Sequence, residues 1–277
     1  MKLLIVLSSL IIVQAGVIKE DEETCDGVNV DNKYHDKEVL KAELDRPYLL
    51  AVDYSNNVVY FSYSITASDD EFKTARLNLE TKEFQDIKGV NNGFAQTVDP
   101  KTNDVYIGGS DGIYKYNYNT DKAEFYGAKD ENIWTLFVKD DIYYSSFPSQ
   151  FLYVSNNDTF ERFKDLEDTK VDNFLIDKED LIFFTNGTGL YSQKKGSKDA
   201  EFYEDSTGIR GITLDVNGNV YVCKSDGIYS VDKTMMYLIK IADLDDAFGV
   251  AFDKDNNIIY SDATQLIRLK PNEDKNC

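Results

Sequence analysis

The sequence predicts an all-β fold, a six-bladed β-propeller whose last blade is closed by the N-terminal strand. Three observations carry this: a repeat, the strand character of the repeat, and one strand spare at the start while one is missing at the end. Six segments share a pattern: LAVDYSNNVVYFS (50–62), QTVDPKTNDVYIG (96–108), LFVKDDIYYSS (136–146), FLIDKEDLIFFTN (174–186), ITLDVNGNVYVCK (212–224) and VAFDKDNNIIYSD (250–262). Each is an apolar triplet, an anchor residue, a polar turn and an alternating β-branched and aromatic run, which specifies a hairpin. The anchors are Asp53, Asp99, Lys139, Asp177, Asp215 and Asp253, spaced by 46, 40, 38, 38 and 38 residues. A second hairpin follows, as in SDGIYKYNYNTDKAEFYGA (110–128), GTGLYSQKKGSKDAEFYED (187–205) and SDGIYSVDKTMMYLIKIAD (225–243). Four strands per roughly 40 residues make a propeller blade. The period of two excludes a helical solenoid, which needs apolar residues at i, i+3, i+4 and i+7. The 19 Tyr and 16 Phe against 4 Pro and 3 Met favour strands in the same way.

Taken in order, the chain divides into a signal peptide at 1–15 and a single propeller domain at 16–277. Lys2 precedes an apolar run at 3–13, and Val13 and Ala15 stand three and one residues before a cut after Ala15, as signal peptidase prefers. The run is short for a bilayer span. A secreted, extracellular glycoprotein is expected, with N-glycosylation at Asn157 and Asn186 in the sequons Asn157-Asp158-Thr159 and Asn186-Gly187-Thr188. Next comes HDKEVLKAEL (35–44), a strand with no partner in its own unit. The last unit ends after its third strand, so these two are expected to pair and close the ring; an open ring would expose strand edges. Antiparallel pairing there brings Cys25 and Cys277 together as a disulfide, leaving Cys223, inside the strand NVYVC, as a buried free thiol.

Charge narrows the function. With 50 acidic and 30 basic residues the net charge is −20, and loss of Lys2 takes it to −21. Such a surface repels phosphate backbones and anionic lipid heads, so neither nucleic acid nor membrane is an expected partner. A lone His35, in a polar stretch, cannot build a His-ligated zinc cluster and reads as solvated. The Asp-rich turns DVNGNV (215–220) and DKDNNI (253–258) lack the distal Glu of a calcium loop and read as hairpin turns, their Asp binding backbone N–H groups. No catalytic residue, metal or cofactor is expected.

Counting back five residues from each anchor gives Tyr48, Phe94, Trp134, Asp172, Arg210 and Phe248. A common register makes these a ring at one mouth of the central channel. The next position forward, Leu49, Ala95, Thr135, Asn173, Gly211 and Gly249, is mostly small. Four ring members are aromatic, and they serve as a ligand site or as packing between blades. A buried guanidinium needs a partner, and Asp172 is the one expected for Arg210.

The strings CDGVNV (25–30), KEVLKAELDRPYLLAVD (37–53), VVYFSYS (58–64), NGFAQTVD (92–99), YIGGSDGIYKYN (106–117), RFKDLEDTKVDNF (162–174) and GLYSQKKG (189–196) resemble the insect ommochrome-binding protein family over essentially the whole mature chain. The resemblance implies a haemolymph protein that binds ommochromes, tryptophan-derived phenoxazine pigments with a planar core and acidic substituents. The ligand-binding set expected on the ring is Tyr48, Phe94, Trp134, Asp172, Asn173, Arg210 and Phe248, in a monomer. The rival readings are a gluconolactonase-like metal-dependent hydrolase, for which Asp172 and Asn173 supply a partial oxygen site, and a secreted protein-interaction propeller.

Overall fold

A computed structural model describes residues 25–65, 71–157 and 159–275. The expected signal segment at 1–15, Asp158 of the first sequon, and Cys277 with the pairing expected for it lie outside the described residues.

Strands β1 (Val28–Val30) and β2 (Lys33–Lys41) form a hairpin over Asp31 and Asn32, at φ 48° and 62°. Two positive φ values define the tight hairpin turn, and Asp and Asn tolerate them. Four antiparallel four-stranded sheets follow. They are β3 (Tyr48–Asp53), β4 (Val58–Ser64), β5 (Phe72–Asn78) and β6 (Phe84–Asp86); β7 (Ala95–Val98), β8 (Val105–Gly109), β9 (Gly112–Asn117) and β10 (Lys122–Gly127); β11 (Ile133–Lys139), β12 (Asp141–Ser146), β13 (Leu152–Asn156) and β14 (Thr159–Arg162); and β15 (Asn173–Ile176), β16 (Leu181–Asn186), β17 (Gly189–Lys194) and β18 (Ala200–Phe202). The chain continues through β19 (Ile209–Leu214), β20 (Val220–Lys224), β21 (Gly227–Asp232), β22 (Tyr237–Asp243), β23 (Gly249–Phe252), β24 (Ile258–Ser261) and β25 (Leu266–Pro271). These seven join β1 and β2 in a nine-stranded sheet of order β19-β20-β21-β22-β1-β2-β25-β24-β23. The only helix among the described residues is a single turn, Lys164–Leu166. The fold is all-β and propeller-like.

The first strands of the repeats, β3, β7, β11, β15, β19 and β23, touch in that order, and β23 returns to β3. Apolar clusters fill the gaps between neighbouring sheets. Tyr60, Ile107 and Tyr116 lie between the first two, and Leu175, Phe183 and Val222 between the fourth and the β19–β22 run. The nine-stranded sheet also packs on itself, with Cys223 and Ile228 of one half against Val250, Phe252 and Tyr260 of the other. Close to the axis there is little room. A Cβ on Gly249 would come within 3.1 Å of Ser261 Oγ and 3.3 Å of Leu50 Cγ, which explains small residues at that register.

The expected closing pair is present. β2 runs antiparallel to β25, from His35 opposite Pro271 to Lys41 opposite Leu266. It ends at Lys41, short of the expected residue 44, because the chain turns away with Glu43 at φ 61°. β1 adds a second stitch that the repeat did not reveal, through Val30 opposite Ala242 and Asp31 N–H donating to Ile241 O at 2.9 Å. At the seam, buried Arg268 donates to Glu38 Oε2 (Nε, 2.8 Å) and to Leu79 O (Nη2, 3.2 Å), and it faces Asp253 Oδ2 at 3.3 Å. One guanidinium therefore ties the N-terminal strand, the last repeat and the first.

Candidate functional site

The six residues five positions before the anchors all stand where the inner strands begin, and a backbone irregularity places them there. Phe94, Asp172 and Phe248 precede β7, β15 and β23. Their N–H groups donate to Gly108 O, Thr185 O and Ser261 O at 2.8–2.9 Å, residues already paired with Ala95, Asn173 and Gly249. Trp134 and Arg210 are the extra residues where the register of β11 and β19 shifts. In β3 the shift follows Tyr48, with Leu49 at φ 49°. Two residues facing one is a β-bulge, a device that re-aims a side chain out of the ladder.

The side chains so released meet. Tyr48, Phe94, Trp134, Asp172, Asn173, Arg210 and Phe248 all line one cavity of about 410 Å³, together with Leu49, Phe72, Thr135 and Ile209. It shares Leu49, Thr135, Asn173, Arg210 and Phe248 with a channel of about 420 Å³ that runs along the inner strands to Tyr54, Lys139 and Lys178. The aromatics form an arc. Phe94 stacks on Trp134 with centroids 4.8 Å apart at 30°, and Tyr48 lies 5.9 Å from Phe94 and 5.6 Å from Phe248. Sequence reasoning missed two members. Phe72, from β5, lies 4.6 Å from Phe94, and Phe147, 51% exposed, extends the arc 5.5 Å beyond Trp134. Both stand outside the repeated register, so no periodic signal marks them.

The expected pairing of Arg210 with Asp172 is not what forms. Arg210 Nη1 donates to Asp246 Oδ1 at 2.8 Å and to Ala247 O at 2.9 Å, and the guanidinium lies 4.5 Å from the Phe248 centroid. Asp246 is two residues before Phe248 on the same loop, so it reaches Arg210 without crossing the cavity. Asp172 instead accepts from Gln150 Nε2. Burial pushes its carboxyl above the ordinary value. Burial also raises the Tyr48 hydroxyl, opposed by Arg46 beside it, which bonds Asp45 at 3.0 Å.

The other candidates fall elsewhere. Cys223 is buried opposite Gly211, with burial pushing its thiol up to about 12. His35 lies at the seam and donates from Nδ1 to Lys33 O. Asn157 is exposed, while Asn186 is half-buried with Oδ1 accepting from Thr188 N–H at 2.9 Å. The anchors bind backbone: Asp253 Oδ1 accepts from Asp255 and Asn257 N–H, and Asp215 repeats this with Asn217 and Asn219. Among the described residues no group of three or more His, Cys, Asp or Glu side chains could hold a metal ion, and no helix is long and apolar enough to cross a membrane.

No family model matches the chain. Among solved structures it is similar to a gluconolactonase from Xanthomonas campestris, with a TM-score of 0.68 and 13% identity, covering 90% of this chain and 96% of that one. A WD40 β-propeller domain matches with a TM-score of 0.57 and 13% identity, covering 90% of this chain and 98% of that one. At such identities the likeness is one of fold. The ommochrome-binding protein of Manduca sexta is 32% identical over 254 residues, covering 90% of this chain and 92% of that protein. With that identity spread across nearly the full length of both, the chain belongs to the ommochrome-binding protein family.

Proposed function

We propose that this protein is a secreted, extracellular binding protein for ommochrome-type pigments, without enzymatic activity, and that it holds the planar ring at the mouth of its central channel. The observation that carries the reading is the bulge-presented arc of Trp134, Phe94, Tyr48 and Phe248, extended past Trp134 by Phe147, in a chain whose relative is named for binding ommochrome. A conjugated ring system gains about 0.5–1.5 kcal/mol from each stacked aromatic beyond the area it buries. Arg210 spends one nitrogen on Asp246 and Ala247, and its remaining N–H groups meet an acidic substituent of the pigment, a contact Lys cannot copy.

The nine-stranded sheet is read as two blades, β19–β22 and β23–β25 with β2, stitched by β1. Six inner strands in a closed circuit and an apolar cluster between its two halves support a six-bladed ring. A gluconolactonase-like hydrolase would need further oxygen ligands beside Asp172 and Asn173, and the other five ring positions are four aromatics and the cation Arg210.

Absorbance and fluorescence test the function. Protein purified from its natural fluid is expected to absorb visible light in proportion to bound pigment. Titration of pigment into stripped protein should quench the emission of Trp134, the chain's single Trp. Trp134→Ala should weaken binding about threefold to tenfold, the factor one lost stacking contact implies. Unchanged affinity in a folded Trp134→Ala protein places the ligand elsewhere.

A further inference from the structure

Two exceptions to the repeat meet in the first two blades. At the register of Leu49, occupied elsewhere by Ala95, Thr135, Asn173, Gly211 and Gly249, only Leu49 takes the left-handed backbone, at φ 49°. A residue with a side chain is strained there. Three residues before the anchors stand Leu50, Gln96, Leu136, Phe174, Ile212 and Val250, so Gln96 is the single polar member of that register. The two exceptions are bonded to each other. Gln96 Nε2 donates to Leu49 O and, at 3.3 Å, to Tyr48 O. Both acceptors are carbonyls, so the nitrogen end of the amide must face them. The other end, Oε1, is buried and has no donor among the described residues. Gln96 is only 5% exposed, and a buried acceptor without a donor is costly. A leucine, as in the first and third repeats, has no such oxygen to bury.

We propose that Gln96 is a positioning residue of the ligand mouth: its amide holds Leu49 in the left-handed bulge and so fixes the direction of Tyr48. This rests on the reading of the mouth as a planar-ligand site and adds what keeps the site in shape. Gln96 borders the channel but not the mouth cavity, so its effect on a ligand passes through Tyr48. Tyr48 joins the two ends of the arc. Its centroid lies 5.6 Å from Phe248 on one side, and 5.9 and 6.0 Å from Phe94 and Phe72 on the other. Between the pairs Tyr48–Ser62 and Ala51–Tyr60, Leu49 and Leu50 face the single residue Phe61. Without the amide to grip its carbonyl, Leu49 is free to relax toward extended backbone. That redirects Tyr48 and breaks the arc between Phe94 and Phe248. The orphaned oxygen of Gln96 is the stability cost of holding the ring in place.

A double-mutant cycle tests this, with a carboxylated phenoxazinone dye titrated into the full-length mature protein by quenching of Trp134. Tyr48→Ala should weaken binding about threefold to tenfold, the factor of one stacking contact, and Gln96→Leu about threefold, a fraction of it. The double variant should bind within about 1.5-fold of Tyr48→Ala alone, because Gln96 acts only through that ring. Gln96→Met, with an unbranched chain of the same length and no donor, should lose as much as Gln96→Leu and stands in for it if that variant does not fold. Thermal melts run alongside establish that each protein is folded at the titration temperature. Parent affinity in both Gln96 variants, with Tyr48→Ala weakened, overturns the proposal and leaves the mouth as a planar-ligand site. So does a loss that adds in full to that of Tyr48→Ala, which a merely structural role of Gln96 produces. Failure of the parent to bind the dye overturns the reading of the mouth itself.

Discussion

Glu38 concentrates more charge than any other carboxylate at the seam. It faces Arg268 at 2.7 Å, Lys270 at 3.1 Å and Lys82 at 3.2 Å. Burial would push its carboxyl up, but those three cations outweigh burial and hold it at about 2, below its ordinary 4.5. A depressed carboxyl stabilises the folded state fully above its unfolded value and loses that contribution as pH falls through the folded one. The melting temperature of Glu38→Gln should therefore lie below that of the parent at pH 7, and the gap should close between pH 4.5 and about 2. A gap of constant size across that range would show that the charge of Glu38 is not what matters. Residue-scale chemistry of this kind was only half visible in the sequence. The ring members were legible because they share a register with the anchors. The acid that pairs with Arg210 was not, because Asp246 lies outside that register and Asp172 was the only acid inside it.

At the scale of elements, the repeated hairpin and its anchor were legible, and the bulge was not. An anchor Asp announces itself by its repeated position, where a short side-chain oxygen accepts two N–H groups of the turn that follows. A bulge is decided by two strands together, and the string around Trp134 or Arg210 reads equally well as regular strand. β1 escaped notice for a related reason: three residues, Val28–Val30, carry too little pattern. The anchors differ in what else they hold. Asp53 accepts from Tyr118 at 2.9 Å, Asp177 meets Lys233, and Asp253 faces Arg268, whereas the contacts of Asp99 stay within its own turn, to Lys101 N–H and Thr102. Asp253→Ala should then cost about 3 kcal/mol or more, because it strips acceptors from a turn and leaves a buried arginine short of charge. Asp99→Ala should cost about 1 kcal/mol, the loss of turn bonds near water. Urea denaturation of the two variants measures the difference, and equal costs would mean that the ionic contact contributes nothing.

For the molecule as a whole, the circuit of inner strands makes the two ends of the chain one place. Tyr34 gathers them. Its hydroxyl accepts from Gly27 N–H at 2.8 Å, its carbonyl accepts from Asn272 N–H at 3.0 Å, and Lys275 lies 5.6 Å from its ring. Cys25 lies two residues before Gly27 and Cys277 two after Lys275, so a disulfide between them is the proposed covalent closure. Peptide mapping without reduction should recover the 25–277 pair and leave Cys223 unbridged. Cys25→Ser should lower stability by up to about 4–5 kcal/mol, the value a chain-entropy model assigns to so long a loop. A Cys223 bridge to either partner refutes the assignment. Ring closure was the most legible feature at this scale, because a spare strand at one end and a missing one at the other have one economical solution.

The seam also imposes an order in time. Glu38 and Arg268 are 230 residues apart, so β2 is made long before β25 exists to receive it. At synthesis rates of about 5–20 residues per second, the edge of β2 that β25 will cover stays open for roughly ten to fifty seconds. An open strand edge invites wrong partners, and charge along it is a common protection. β2 reads KYHDKEVLK, with Lys33, Asp36, Lys37, Glu38 and Lys41 in nine residues. The same Glu38 that later receives three cations places a charge on that open edge until β25 has been synthesised.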